Sequence, residues 1–417
     1  MGTMVQKDVP TVKCIPLDYG ADEPLLLEVD NDALVADCRG PEGVAGEAAR
    51  QLVEAACSAT KSGPPLESHV VPGDRVAIGL DGDGPQATDV VAAVATRLVA
   101  AGVEPADITV LRAPPLEPLG CGVPEQAGGA PVIGAATAFD PAVEPQTSYM
   151  AADEAGRPIH LARSLVDADV VVSIGQWGWD AAFGGCSFEG ELWPTFSRRS
   201  CREEIVRSLA TRGRRAIDAW MVSNQEAIWQ LGVCANLRLV AGRGDTLAAA
   251  AFGLPDAAAR RARKLAAGWR PTVPAAAMLT IASLSNPRGG TAMLLRAVAA
   301  AARVTHPTGT VCVASRLAER PGVIFSRWRE GAPLDALVRE AVGTGDQSLI
   351  TDAFQTRFFA RALGDRRLVL LSDLDEATVE ELELGFAAMP EVVERLAHRA
   401  ESVTVLHEAD RMLPRVV

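Results

Sequence analysis

The run Asp169-Val-Val-Val-Ser-Ile-Gly175 constrains the fold more than any other stretch. It is apolar without a period of two, so neither of its faces is meant for water. A strand buried on both faces belongs in a parallel sheet covered by helices on each side. The rest of the chain repeats the theme. Val76–Leu80 reads as a strand and Asp89–Ala101 as the helix behind it, with Thr88 or Asp89 as N-cap and Gly102 past its end. Ile108–Leu111 is the next strand. A second cycle runs through strand Met278–Leu284, helix Thr291–Arg303 and strand Thr310–Ala314. It continues through strand Arg367–Ser372, the capped helix Asp375–Leu384 and strand Val403–Leu406. Strands alternating with helices are βαβ units, so the predicted fold class is α/β with mainly parallel sheets.

A chain of 417 residues has room for two or three domains. Composition breaks at Ala267–Pro274 (AGWRPTVP), behind the charged helix Asp256–Lys264. This predicts an N-terminal domain over 1–268 and a C-terminal domain over 269–417. The Pro- and Gly-rich stretch Ala113–Glu144 reads as loop.

Charge and cysteine usage exclude some functions. Forty basic residues against 53 acidic ones give a net charge of −13, which argues against nucleic acid or an anionic membrane as the main partner. Eight cysteines without a C-x-x-C pair point to a reducing cytoplasm. No apolar run approaches the roughly 18 residues of a membrane span. Basic character comes almost wholly from Arg, because the lysines are only Lys7, Lys13, Lys61 and Lys264. The histidines (His69, His160, His306, His398 and His407) form no local metal motif.

Ligands of parallel α/β sheets sit beyond the carboxyl ends of strands, which selects five loops. Leu80–Gln86 (LDGDGPQ) offers Asp81 and Asp83 to a cation or a hydroxyl, although Asp and Gly also simply make turns. Arg112–Pro118 is stiffened by three prolines and has only Arg112 and Glu117 for polar work. Gly175–Pro194 holds Trp177, Trp179 and Trp193 among glycines, with Asp180, Cys186, Glu189 and Glu191. That composition suits an aromatic-walled pocket whose carboxylates act as acid and base, and equally a packed, Trp-anchored loop. Ser285–Gly290 enters a helix, where backbone N–H groups and Arg288 would suit a carboxylate or phosphate. Ser372–Asp375 reads mainly as a helix cap. A dinucleotide fingerprint, a P-loop, a nucleophile elbow and an H-E-x-x-H helix are all missing.

Taken in order, these landmarks resemble the nickel-pincer lactate racemase family. The likeness spans roughly Asp74 to Val405. It is carried by DRVAIGLDGDGPQATDVVAAVATRLVAAGVEPADITVL, DADVVVSIG and its Gly-rich loop, LVAGRGDTLAAA, the Thr291–Ser315 unit and LVLLSDLDEATVEEL. The resemblance implies two α/β domains with an interdomain cleft, 2-hydroxy acid substrates and a nickel pincer nucleotide. That cofactor would be tethered by a lysine and ligated by a histidine, with two further histidines exchanging the proton or hydride.

The matching positions carry other residues. In the family's D-x-T-R-P turn the aspartate is Asp81 and the proline Pro85, but threonine and arginine are Asp83 and Gly84. One catalytic histidine falls at Leu116 and the other at Asp180. The tethering lysine falls at Gly190, the metal-ligand histidine near Val206 and the substrate-side lysine at Arg296. No lysine lies between Lys61 and Lys264, and no histidine between His160 and His306.

The expectation is therefore a racemase-like protein with no cofactor and no metal. It would bind a small hydroxy acid or related anion in the cleft through Asp81, Asp83, Trp177, Trp179, Arg288 and Arg296, with Asp180, Glu189 and Glu191 beside them. Two alternatives stand. One is an isomerase or lyase using Asp180 with Glu189 or Glu191. The other is a non-catalytic subunit, as a homo-oligomer or paired with an active paralogue, for which an apolar patch around Trp193 would speak.

Overall fold

A computed structural model describes residues 12–81, 84–113, 135–153, 156–185 and 191–417. The chain divides into two compact units. One comprises Gly40–Arg270 and Pro321–Phe358; the other comprises Met1–Arg39, Pro271–Arg320 and Phe359–Val417. The crossing at Arg270/Pro271 lies two residues from the 268/269 break read in the sequence. Neither unit is one stretch, however: 1–39 belongs with the later unit and 321–358 with the earlier one.

The earlier unit is built on six strands: β4 (Val76–Asp81), β5 (Ile108–Ala113), β6 (Ala135–Ala138), β9 (Val170–Gln176), β10 (Ala235–Ala241) and β11 (Leu247–Gly253). Their spatial order is β11-β10-β9-β4-β5-β6, all parallel except the edge strand β11. The unalternating run Val170–Ile174 is central β9, buried along its length up to Gln176. Period-two geometry divides β4 between two layers. Val76, Ile78 and Leu80 join the core formed with Val53 of α1 (Glu47–Ser58) and Val90, Val94 and Leu98 of α2 (Ala87–Ala100). On the opposite face Gly79 leaves space for Leu192, whose Cδ2 would lie 2.8 Å from an added Cβ. Leu192 begins α4 (Leu192–Thr195), which with α3 (Arg163–Val166), α5 (Arg199–Arg212) and α6 (Arg214–Gln230) adds further helical cover; α7 (Pro255–Leu265) packs on β10 and β11. Helices α9 (Val323–Arg329), α10 (Leu334–Thr344) and most of α11 (Gln347–Leu363) complete the unit, with the hairpin of β7 (Thr147–Ala152) and β8 (Pro158–Ala162).

Helix α2 starts two residues earlier than predicted, and neither Thr88 nor Asp89 caps it. Gln86 holds that place in the left-handed region at φ 56°. It is fixed there by its side-chain amide, which donates to the Asp245 carbonyl at 2.7 Å and accepts the Gly46 N–H at 2.8 Å. Asp89 instead pairs with Arg50 at 2.7 Å.

The later unit is a second parallel sheet, order β16-β15-β14-β13-β17-β3. Its strands are β3 (Leu34–Cys38), β13 (Ala277–Ser283), β14 (Thr305–Ala314), β15 (Arg367–Leu371), β16 (Gly385–Phe386) and β17 (Val403–Leu406), with helices α8 (Thr291–Ala302), α12 (Glu376–Glu381) and α13 (Pro390–Arg399). Asp375 caps α12 as expected, accepting the Thr378 N–H at 2.8 Å. An antiparallel pair, β1 (Val12–Leu17) and β2 (Leu25–Asp30), packs Leu25, Leu27 and Val29 against this core. The parallel pair β12 (Thr272–Val273) and β18 (Arg415–Val416) closes the unit. Both units are thus α/β with mainly parallel sheets. Among the described residues no helix is long and apolar enough to cross a membrane.

Candidate functional site

In the earlier unit the chain lays down β4, β5 and β6 in one direction across the sheet, then β9 and β10 in the other. The order reverses between β4 and β9, and such a switch opens a crevice at the carboxyl ends of the two strands. Those ends are Asp81 and Gln176. Beyond them lie the Gly84–Gln86 turn into α2 and the loop that starts at Trp177. The Trp177 N–H donates to the Leu239 carbonyl at 2.7 Å, which anchors the loop to β10.

The two tryptophans of that loop play different parts. Trp179 is 6% exposed and its indole N–H donates to the Ala266 carbonyl at 3.1 Å. The guanidinium carbons of Arg263 and Arg270 lie 5.5 and 5.4 Å from its ring centroid, within cation–π range. Trp177 meets it edge-on at 4.8 Å and 82° but keeps part of its own surface exposed. Trp179 is a fixed wall, and Trp177 is the aromatic that a ligand could reach. Trp193 is 8% exposed and lies 6.4 Å from Trp220, so its own ring offers little apolar surface.

Of the carboxylates expected to act as acid and base, the two described, Asp180 and Glu191, are held by internal partners. Asp180 is 2% exposed, and its Oδ1 accepts the N–H groups of Ala182 at 2.9 Å and Phe183 at 3.3 Å. It closes the turn that leads to Gly184 and Gly185, both at positive φ. Glu191 receives Arg238 Nη2 on one oxygen and Asn224 Nδ2 on the other, each at 2.7 Å. It thereby clamps the end of the Trp loop to β10 and α6. Asp83, Leu116, Cys186, Glu189 and Gly190 lie outside the described residues.

Arg288 and Arg296 belong to the other unit. Arg288 is exposed in the turn after β13, and its backbone N–H donates to Asn286 Oδ1 at 3.2 Å. Arg296 is 8% exposed within α8. The helix start beside Arg288 does not wait for a foreign anion. Glu319 already occupies it, accepting the Thr291 N–H on Oε2 and the Thr291 hydroxyl on Oε1, both at 3.3 Å. A Cβ added at Gly290 would push that carboxylate aside. An internal carboxylate thus takes the role expected of a bound carboxylate or phosphate.

A further charge cluster lies in the second sheet where β17 pairs with the edge strand β3. His407 Nε2 is 2.9 Å from Asp37 Oδ1, while Arg39 and Lys13 approach the other oxygen at 3.6 and 3.8 Å. Burial works to raise the Asp37 carboxyl; the His407 hydrogen bond and charge, with Arg39 and Lys13, outweigh it and hold the group below its ordinary value. Beside it the Ser285 N–H and hydroxyl donate to Asp410 at 2.7 and 2.6 Å. His407 was findable, since it directly follows a predicted strand; Asp37 was not, since β3 was unrecognised. Among the described residues no group of three or more His, Cys, Asp or Glu is arranged to hold a metal ion.

The fold is similar to that of the lactate racemase apoprotein from Thermoanaerobacterium thermosaccharolyticum, with a TM-score of 0.72 and 13% identity over 97% of this chain and 100% of that one. A protein from Thermotoga maritima solved by structural genomics is also similar, with a TM-score of 0.61 and 10% identity over 88% of this chain and 98% of that one. No family model matches the sequence, and no curated protein does. At these identities the likeness is one of fold.

Proposed function

We propose that this chain uses a lactate-racemase-like fold to bind a small 2-hydroxy acid or related anion, without the nickel nucleotide, at the carboxyl ends of β4 and β9. The observation that carries the reading is that the adjacent strands β4 and β9 end, at that switch, in a half-buried carboxylate, Asp81, and in the loop of the partly exposed Trp177. Asp81 would accept a ligand hydroxyl, Trp177 would cover its carbon skeleton, and the N-terminus of the 14-residue α2 would favour its carboxylate.

The residues present do not fit the nickel nucleotide. Val206, where the resemblance puts a metal-binding imidazole, is 1% exposed in α5 and has no donor atom. Asp180, where it puts a catalytic histidine, is occupied in a turn. No lysine stands between Lys61 and Lys264 to tether the nucleotide. The alternative of a carboxylate-based isomerase or lyase has less support, because Glu191 gives both oxygens to Arg238 and Asn224.

Titration of tryptophan emission with a panel of 2-hydroxy acids tests binding. A saturable change that Trp177→Phe removes and Asp81→Asn weakens is expected; emission inert across the panel overturns the reading. Intact mass and metal analysis after co-production with the cofactor-making enzymes tests the rest. Unmodified mass without nickel is expected, whereas added mass with stoichiometric nickel refutes it.

A further inference from the structure

Elsewhere in the earlier unit, α1, β11 and α7 line a cavity of about 340 Å³ that shares no residue with the β4–β9 switch. Strand β11 is the edge of its sheet. Among the described residues, backbone partners meet its outer side at the two ends: Val44 exchanges hydrogen bonds of 2.9 Å with Leu247, and the Leu254 N–H donates to the Ser62 carbonyl at 3.1 Å. Between these clamps Ala248, Ala249 and Ala250 line the cavity, and their short side chains leave the space unfilled. Leu52 and Ala56 of α1, Phe252 of β11 and Leu265 of α7 supply apolar walls.

The same cavity is lined by two cations, Lys61 and Arg261. Among the described residues neither side chain has an ion pair or a hydrogen bond. Helix α7 adds Arg260 and Lys264, the neighbours of Arg261 in sequence by one and three residues, against a single acid in that helix, Asp256, on a chain of net charge −13. Such a field draws anions toward the cavity.

We propose that this cavity binds an unbranched aliphatic carboxylate, its tail along Ala249 and Phe252 and its carboxylate met by Lys61 and Arg261. Apolar walls alone would take a neutral chain, and cations alone would take an inorganic anion; together they select an amphipathic anion. The volume is near the lower bound of about 300 Å³ for small-molecule pockets, which fits one short chain rather than a two-chain lipid.

Calorimetric titration of the full chain with butyrate, hexanoate, octanoate and octan-1-ol tests this. Affinity is expected to rise with chain length, by up to about fourfold per buried methylene. Octanol should bind at least about tenfold more weakly than octanoate, since it lacks the charge that the cations recognise. Ala249→Leu, which fills the cavity, and the double variant Lys61→Ala/Arg261→Ala should each weaken octanoate by about tenfold or more. The double variant alters only side chains outside the core, so it decides the matter even if Ala249→Leu fails to fold. The proposal is overturned if octanoate does not saturate at millimolar concentration. It is equally overturned by affinity flat with chain length, by octanol matching octanoate, or by octanoate binding unchanged in the folded double variant.

Discussion

Replacing Glu191 with leucine separates an architectural carboxylate from a catalytic one. The side chain is 12% exposed and its partner Arg238 2% exposed, so water cannot take over the broken contacts. The substitution removes two hydrogen bonds of 2.7 Å, from Arg238 and from Asn224. A hydrogen bond to a charged group contributes about 1.5–3 kcal/mol, and two of them give a loss of roughly 3–6 kcal/mol. Removing one member of a buried ion pair costs about the same, 3–5 kcal/mol, because the other charge stays behind. The second charge can then be removed too. Adding Arg238→Met should restore much of the loss, because an apolar pair of similar volume avoids the desolvation that the ion pair has to offset. The double-mutant cycle should therefore show a coupling of about 2 kcal/mol or more. Urea unfolding followed by circular dichroism measures all four proteins. Two outcomes would refute the reasoning: a Glu191→Leu cost below about 1 kcal/mol, or strictly additive losses in the double variant.

The other predictions concern helix capping, pH and thiol chemistry. Glu319→Ala should cost about 0.5–2 kcal/mol by exposing the start of α8, read as a lower urea midpoint. Asp37→Asn should cost about 1–3 kcal/mol at pH 7. Because the folded carboxyl is held below its unfolded value near 3.9, that contribution is present above this value and is lost as pH falls through the folded one. Stability curves of the two proteins should converge in acid, and a constant gap down to about pH 2 would contradict the assignment. Burial pushes the thiols of Cys57 and Cys312 up to about 12. Iodoacetamide at pH 8 should mark exposed Cys14 and reach those two only after urea unfolding, as peptide mapping would show.

What could be read in advance depended on how local each determinant is. Strand β9 is legible because a run that is apolar on both faces has one destination in an α/β protein. The alternation of Leu25, Leu27 and Val29 carried a comparable signal for β2, but it sits in a segment whose packing partners come after Pro271. The start of α2 was misread because Gln86 is fixed by Asp245, 159 residues away. Likewise Glu191 looked like a free acid in sequence, and only the return of β10 brings Arg238 to it, 47 residues on. At the start of α8 the loop was recognised as attractive to an anion. That the anion is Glu319, 28 residues later, depends on where the strand β14 delivers the chain.

The threading of the chain between its two units has a consequence for synthesis. Among the described residues strand β3 pairs with β17 alone, and the neighbouring contact of Asp37 with His407 joins residues 370 positions apart. At about 5–20 residues per second, a ribosome needs roughly 20–75 s to span that interval. Through that time the faces of β1 and β2 that bury Leu17, Leu25 and Leu27 lack the core that finally covers them. The nascent chain must carry an uncovered apolar hairpin while the earlier unit folds behind it. The β1–β2 pair is thus covered in stages, first when Leu279 and Ile281 of β13 are made and last when Val403 and Val405 of β17 are.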